Sequence, residues 1–183
     1  MDFQPTQDQR DLRAGVRDLL AGRYGREALR AAVDGGVCVD RALWRELGEA
    51  GFFALRLPEE EGGVGLGMPE AVLVFEEAGR ALLPGPLVAT HLAAGSVPGA
   101  AQGTVVVTAL DLGGPLVTHL GESDAVLGAA AVPAGEAVRS VDPLTPLSRV
   151  GVRGSVRDRD GSGGSGGSGG PGGPAAAAAS AAA

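Results

Sequence analysis

The chain has 183 residues, a formal net charge of −7, 44% hydrophobic residues and only 3% aromatics, which suits one domain of about 100–150 residues plus a fragment. A pI near 4.8 and 15 basic residues with no basic run exclude the clustered cations of a nucleic-acid footprint, so no nucleic-acid partner is expected. Lys, Ile and Asn are absent while Gly reaches 32, the mark of a G/C-rich gene, so the exclusive use of Arg carries no phosphate-recognition signal.

The first 95 residues read as helical. Thr6-Gln7-Asp8-Gln9 has the form of a capping box, a hydroxyl for the first turn and an amide three residues on. Leu12, Val16, Leu19 and Leu20 then form one apolar stripe, ended by Gly22 and Gly25. A short helix over Glu27–Val33 stops at Gly35-Gly36, and Asp40 caps a third helix that turns Leu43, Trp44 and Leu47 inward before Gly51. Phe52–Leu57 is apolar, too short for a helix, and ends at Pro58. A glycine-rich loop leads to a helix begun at Pro69, apolar on most sides through Ala71, Val72, Val74, Phe75 and Ala78, with Glu76 and Arg80 paired on its surface. Leu87–Ala94 forms a further helix after Pro86. Ala81–Leu110 carries no charge, but Pro84, Pro86, Pro98 and several glycines rule out a membrane span.

Beyond Gln102 the pattern changes. Thr104–Leu110, Ala125–Ala131, Ala137–Val141 and Val150–Val156 are short, valine-rich and separated by turn residues, as strands are. After Gly161 the chain is Gly/Ser-rich and then Ala-rich, which cannot bury a core; a linker and the frameshifted or truncated end of a G/C-rich gene share this composition. The expected fold class is α+β: an N-terminal α-helical bundle (1–98), a small, incomplete β-domain (102–156) and a disordered low-complexity tail (157–183).

The loop Pro58-Glu59-Glu60-Glu61-Gly62-Gly63-Val64-Gly65 lacks the third glycine of a dinucleotide turn, since Met68 stands there, and its carboxylates would repel a pyrophosphate. Without Lys, a Walker phosphate loop is excluded. The same loop, preceded by Gly51-Phe52-Phe53-Ala54-Leu55 and followed by Phe75-Glu76-Glu77-Ala78-Gly79-Arg80, resembles the N-terminal domain of acyl-CoA dehydrogenases. Gln9-x-x-Leu12-Arg13-x-x-Val16-Arg17, Leu43-Trp44-Arg45-Glu46-Leu47 and Ala81-Leu82-Leu83-Pro84-Gly85-Pro86-Leu87 are similar to the same family in order and spacing, from residue 2 to about 98.

The resemblance implies a flavoprotein that removes an α-proton from an acyl-CoA with a carboxylate base while FAD takes a hydride from the β-carbon. It implies FAD as cofactor, an acyl-CoA substrate, and other acyl-CoA dehydrogenase subunits as homo- or hetero-oligomeric partners, while the lone Cys38 and the start Met1–Asp11, which lacks a signal-peptide shape, lead to the expectation of a cytoplasmic setting. Glu60, Gly62, Gly63 and Gly65 become the substrate-side loop. Thr108-Ala109-Leu110-Asp111 echoes the family's Thr-Glu-Pro-x-x-Gly-Ser-Asp flavin stretch, which makes Thr108 and Asp111 the cofactor-side candidates. The family's helical C-terminal domain has no counterpart here, so no catalytic residue is assigned and the chain is expected to be inactive alone. A non-catalytic subunit of a heteromeric acyl-CoA dehydrogenase and a non-functional gene fragment are the alternatives.

Other candidates read as structural. His91 and His119 have no Cys or His at metal spacing, so no metal ligands are assigned. Cys38, the one cysteine, excludes an internal disulfide and fits a reducing compartment. Glu76 and Glu77 read as surface residues. Leu12, Val16, Leu47, Val72 and Phe75 are expected to meet in one core, and the charge-free stretch after Arg80 to be partly exposed.

Overall fold

The computed structural model describes residues 4–110 and 115–151. Among the described residues five α-helices come first: α1 (Gln7–Arg23), α2 (Arg26–Gly35), α3 (Arg41–Glu49), α4 (Met68–Arg80) and α5 (Leu87–Ala93). Five short strands follow: β1 (Val107–Ala109), β2 (Leu116–Thr118), β3 (Ala125–Leu127), β4 (Gly135–Val138) and β5 (Leu147–Val150). The fold is α+β. No described helix is long and apolar enough to cross a membrane.

Local chemistry sets the helix starts. Thr6 Oγ1 accepts from the Gln9 N–H at 3.2 Å and Gln9 Oε1 accepts from the Thr6 N–H at 3.0 Å, completing the capping box. Asp40 Oδ1 accepts from the amides of Ala42 and Leu43 at the head of α3. Pro69 occupies the first turn of α4, and the Glu70 carboxylate reaches back to the Gly67 N–H at 3.1 Å.

The core gathers around aromatic rings. Trp44 packs on Phe53 with centroids 4.7 Å apart, and Phe52 stands edge-on to both Phe53 and Phe75 at 5.5 and 5.4 Å. Leu20, Leu47, Leu55, Ala71, Val74 and Ala78 fill in around them, and Val106 joins from the start of the strand region. Leu12, Val16 and Phe75 pack against this core as expected. Val72 does not: it is 57% exposed. α4 buries the single stripe 71, 74, 78, so a position one residue past Ala71, rotated by about 100°, faces out.

Glu77 corrects the surface expectation. It is 2% exposed, on the buried side of α4. Its Oε1 accepts from Arg13 Nη2 at 2.9 Å and from Arg17 Nη2 at 3.0 Å, while Oε2 takes Arg17 Nε at 3.1 Å. α1 thereby closes over an ionised carboxylate held by two guanidinium forks. Glu76 pairs with Arg80 at 2.6 Å, as expected of that i,i+4 pair.

The strands fall differently from the valine clusters. β1 pairs with β3 in parallel, Val107 opposite Ala125. β5 is central in an antiparallel sheet of order β2-β5-β4, with Leu147 opposite both Thr118 and Val138. β2 has no counterpart among the expected strands. β5 begins at Leu147, ahead of Val150, and Val141 is fully exposed beyond β4. Pairing partners, not local valine content, decide where short strands form. Residues 152–156 and the tail lie outside the described residues.

Two outcomes are expected. Stability measured in urea from pH 3 to 7 will fall as pH drops below the ordinary glutamate pKa of about 4.3. The Arg17 and Arg13 hydrogen bonds hold the Glu77 carboxyl below its ordinary value despite its desolvation. The stability it contributes is therefore present above the unfolded pKa and lost on acidification through the folded one; Glu77→Gln will lower stability at pH 7 and flatten that slope. Separately, Gly103→Ala will destabilise by at least about 2 kcal/mol, because φ at Gly103 is +65° and an added Cβ overlaps the Trp44 carbonyl oxygen. Gly15→Ala, in open space within α1, will instead raise stability by about 0.5–1 kcal/mol in the same melts.

Candidate functional site

A cleft of about 960 Å³ opens between α4, α5 and the strands. Phe75 and Gly79 of α4 form one side, and Leu83, Leu87, Val88 and Leu92 continue it. Thr108–Leu110, Leu116, Thr118, Leu127 and Leu147 form the other. No carboxylate lines it among the described residues.

Backbone constraints place its walls. α4 stops before Pro84, and Gly85 (φ +116°) passes directly over the Trp44 ring, where an added Cβ would lie 2.5 Å from Cζ3. Only glycine fits there, and Pro86 then starts α5. The Thr90 hydroxyl donates to the Val107 carbonyl at 3.0 Å and accepts from the Val107 N–H at 3.0 Å, tying α5 to β1. With Thr90 inward, Val88 and Leu92 face the cleft side and are 54% and 56% exposed. The partly exposed apolar stretch expected after Arg80 is this face, together with Leu82.

The four loop candidates lie elsewhere. Glu59–Glu61 forms one 3₁₀ turn closed by Gly62 at φ +77°. The Gly63 N–H donates to Pro58 O at 2.9 Å, Gly65 (φ +71°) to Leu57 O at 2.8 Å, and Leu66 to Leu55 O at 2.8 Å. A Cβ on Gly63 would overlap the Leu57 carbonyl. These glycines let the loop fold back on residues 54–58 and deliver the chain to α4. Glu60 is exposed, and none of the four lines the cleft.

Thr108 does line the cleft, but its hydroxyl donates to the Thr118 carbonyl at 2.7 Å, bridging β1 and β2. Asp111 lies outside the described residues. The cleft-lining leucines of β2, β3 and β5 were not singled out from the sequence; their signal is one apolar residue at each short strand, too weak to see without the pairing. Val88 and Leu92, one helical turn apart in the charge-free stretch, were a stronger clue.

Behind the cleft, His91 Nδ1 lies 2.9 Å from the Phe53 carbonyl, and its ring meets Phe75 edge-on at 5.3 Å. Burial lowers its pKa, which keeps the imidazole neutral. His119 Nδ1 meets Glu122 Oε2 at 3.0 Å, while Glu122 Oε1 accepts the Cys38 and Val39 amides at 2.8 and 3.1 Å. Burial, then Glu122 and Asp142, push the Cys38 thiol up, away from thiolate chemistry. Both histidines and the cysteine thus have packing partners within the fold.

Residues 6–107, more than half of the chain, match the family model for the acyl-CoA dehydrogenase N-terminal domain, and the chain belongs to the acyl-CoA dehydrogenase family. It is 43% identical over 90 residues to acyl-CoA dehydrogenase IpdE2 of Mycobacterium tuberculosis, covering 49% of this chain and 28% of that one. Benzylmalonyl-CoA dehydrogenase of Aromatoleum aromaticum is 41% identical over 83 residues, 44% of this chain and 21% of its own length. Among solved structures, the ChsE4–ChsE5 complex of M. tuberculosis aligns with a TM-score of 0.60 at 18% identity, over 82% of this chain and 55% of that one. A structure described as the Tcur3481–Tcur3483 steroid ACAD aligns with a TM-score of 0.59 at 18% identity, with the same coverage. The matched segments thus span under a third of these curated relatives and about half of the solved chains.

Replacing Thr90 by Val removes two buried hydrogen bonds and strands the Val107 amide and carbonyl. Urea denaturation is expected to show a loss of about 1–3 kcal/mol, with amide exchange rising first across α5 and β1.

Proposed function

We propose that this chain supplies the apolar, acyl-side walls of an acyl-CoA-binding cleft in an acyl-CoA dehydrogenase-type flavoprotein. The observation that carries this is the 960 Å³ cleft, lined almost wholly by aliphatic side chains and built on the family's N-terminal domain. Such a surface fits the acyl chain of a thioester. In this reading residues 1–98 are the helical domain, 102–156 a reduced middle β-region and 157–183 a low-complexity tail. Glu60, Gly62, Gly63 and Gly65 act on the substrate side indirectly, as the rigid turn that sets α4 and with it Phe75 and Gly79. The lone, buried Cys38 is consistent with a cytoplasmic setting.

FAD would supply the redox step in such a site. The described cleft residues do not fit it: the polar side chains lining the cleft are Thr108 and Thr118, and the Thr108 hydroxyl is already spent on the Thr118 carbonyl. The wall therefore receives an apolar group, and both flavin contacts and the proton-abstracting carboxylate must come from elsewhere. The exposed apolar side chains of Val88 and Leu92 on α5 favour a second reading, a non-catalytic subunit that shapes the cavity of a heteromeric dehydrogenase.

The purified full chain is expected to show no bound-flavin absorbance and no acyl-CoA-dependent dye reduction on its own. Stoichiometric flavin with turnover from this chain alone would overturn the assignment, and co-purification with a second dehydrogenase subunit would favour the heteromeric form.

A further inference from the structure

We propose that a second hollow in the fold, between Arg56 and His91, binds a small hydroxycarboxylate, an anion that carries its own O–H group. The hollow measures about 270 Å³, is lined by Arg56, Leu57, His91, Leu92, Gly95 and Ser96, and shares only Leu92 with the cleft.

Hydrogen bonding fixes what His91 offers there. A carbonyl oxygen can only accept, so the 2.9 Å contact of Nδ1 with Phe53 O places the ring proton on Nδ1. Burial lowers the pKa, outweighing that hydrogen bond, and the nearby Arg56 charge lowers it further, so the ring is neutral. Nε2 is therefore a lone-pair acceptor, and it has no hydrogen-bond partner among the described residues. A group that satisfies it must bring a hydrogen.

Arg56 supplies the charge. The Leu57 N–H donates to Ala54 O at 3.2 Å, turning the short segment that carries both the Phe53 carbonyl and Arg56. Arg56 is exposed and pairs with no carboxylate among the described residues. Glu61 lines an adjoining hollow that shares Leu57, Gly95 and Ser96, so a second negative charge on the ligand is penalised. The Ser96 hydroxyl is engaged with Ala93 O at 3.2 Å. One planar cation, one acceptor and two leucine side chains remain. A monoanionic carboxylate fits the guanidinium fork, a hydroxyl on the same small molecule donates to Nε2, and its carbon skeleton lies on Leu57 and Leu92.

The test titrates the full-length chain at pH 7 and constant ionic strength with lactate against propionate and 3-hydroxybutyrate against butyrate, pairs that differ by a single hydroxyl. Binding is read by calorimetry and by the His91 ring-nitrogen resonances, told from those of His119 by their loss in His91→Asn. The better hydroxy acid is expected to bind with a dissociation constant on the order of 1 mM, about tenfold or more tighter than its partner without the hydroxyl, and to shift Nε2. Arg56→Gln should weaken both members of that pair about tenfold while melting at the native temperature; Arg30→Gln, outside the hollow, should change neither. His91→Asn keeps an N–H for Phe53 O and removes the acceptor, so it should bring the ratio within the pair to about one; if it does not fold, Arg56→Gln and the native Nε2 shift decide. Equal binding within both pairs, an unmoved Nε2 resonance, or full affinity in Arg56→Gln overturns the proposal, and each leaves the acyl-site reading of the cleft untouched.

Discussion

The close approach of two backbone turns to α3 at and beside Trp44 is the constraint on which the rest of the fold depends. Gly85 passes over its ring, Gly103 lies against its carbonyl oxygen, and Gly48, one turn along α3, abuts the Gln102 backbone. Gly85 leads into α5 and Gly103 leads into β1, so both walls of the cleft are indexed to one side chain and one helix. The arrangement has a cost. Trp44 Nε1 is buried without a hydrogen-bond partner among the described residues, a penalty of about 1–3 kcal/mol. The burial of the indole and its contact with Phe53 offset it.

The junction with the strand region uses charge as well as apolar contact. Arg41, at the head of α3, donates to the Asp124 carboxylate and to the Glu122 carbonyl, and Asp124 in turn accepts the Val106 N–H at 2.8 Å. The Glu122 carboxylate gathers two amides from the segment before α3. These contacts hold β1 beside β3 and keep Thr108 near Thr118. The cleft thus depends on polar groups that never face it.

Much of the helical part was legible in the sequence. Capping residues at Thr6 and Asp40, glycines after helices and Pro69 each act locally, so their signal survives without tertiary information. Glu77 was not legible, because spacings of four and three mark both Glu76 and Glu77 as available to Arg80; only the docking of α1 places Arg13 and Arg17 over one of them. Val72 was misplaced for a related reason, since an apolar residue beside a buried stripe looks buried until the stripe's width is known. The strands were the least legible. Segments of three or four residues owe their existence to partners far along the chain, and β2 has no local feature to announce it. At the site, Thr108, a cofactor-side candidate by resemblance, lines the cleft, whereas the leucines of β2, β3 and β5 had no local signal because strand pairing alone brings them together.

The docking of α1 combines two kinds of contact along its length. Leu12, Val16 and Leu20, with Tyr24 just past its end, seat it on the core, while Gln9 on Glu70 at 2.7 Å and Arg13 and Arg17 on Glu77 hold it to α4. Salt weakens ionic contacts at exposed side chains far more than it weakens apolar burial. Arg17 is 58% exposed. Added salt therefore weakens this seam only from its solvent side, at Arg17, while the Arg13–Glu77 pair behind it, 23% and 1% exposed, is screened much less.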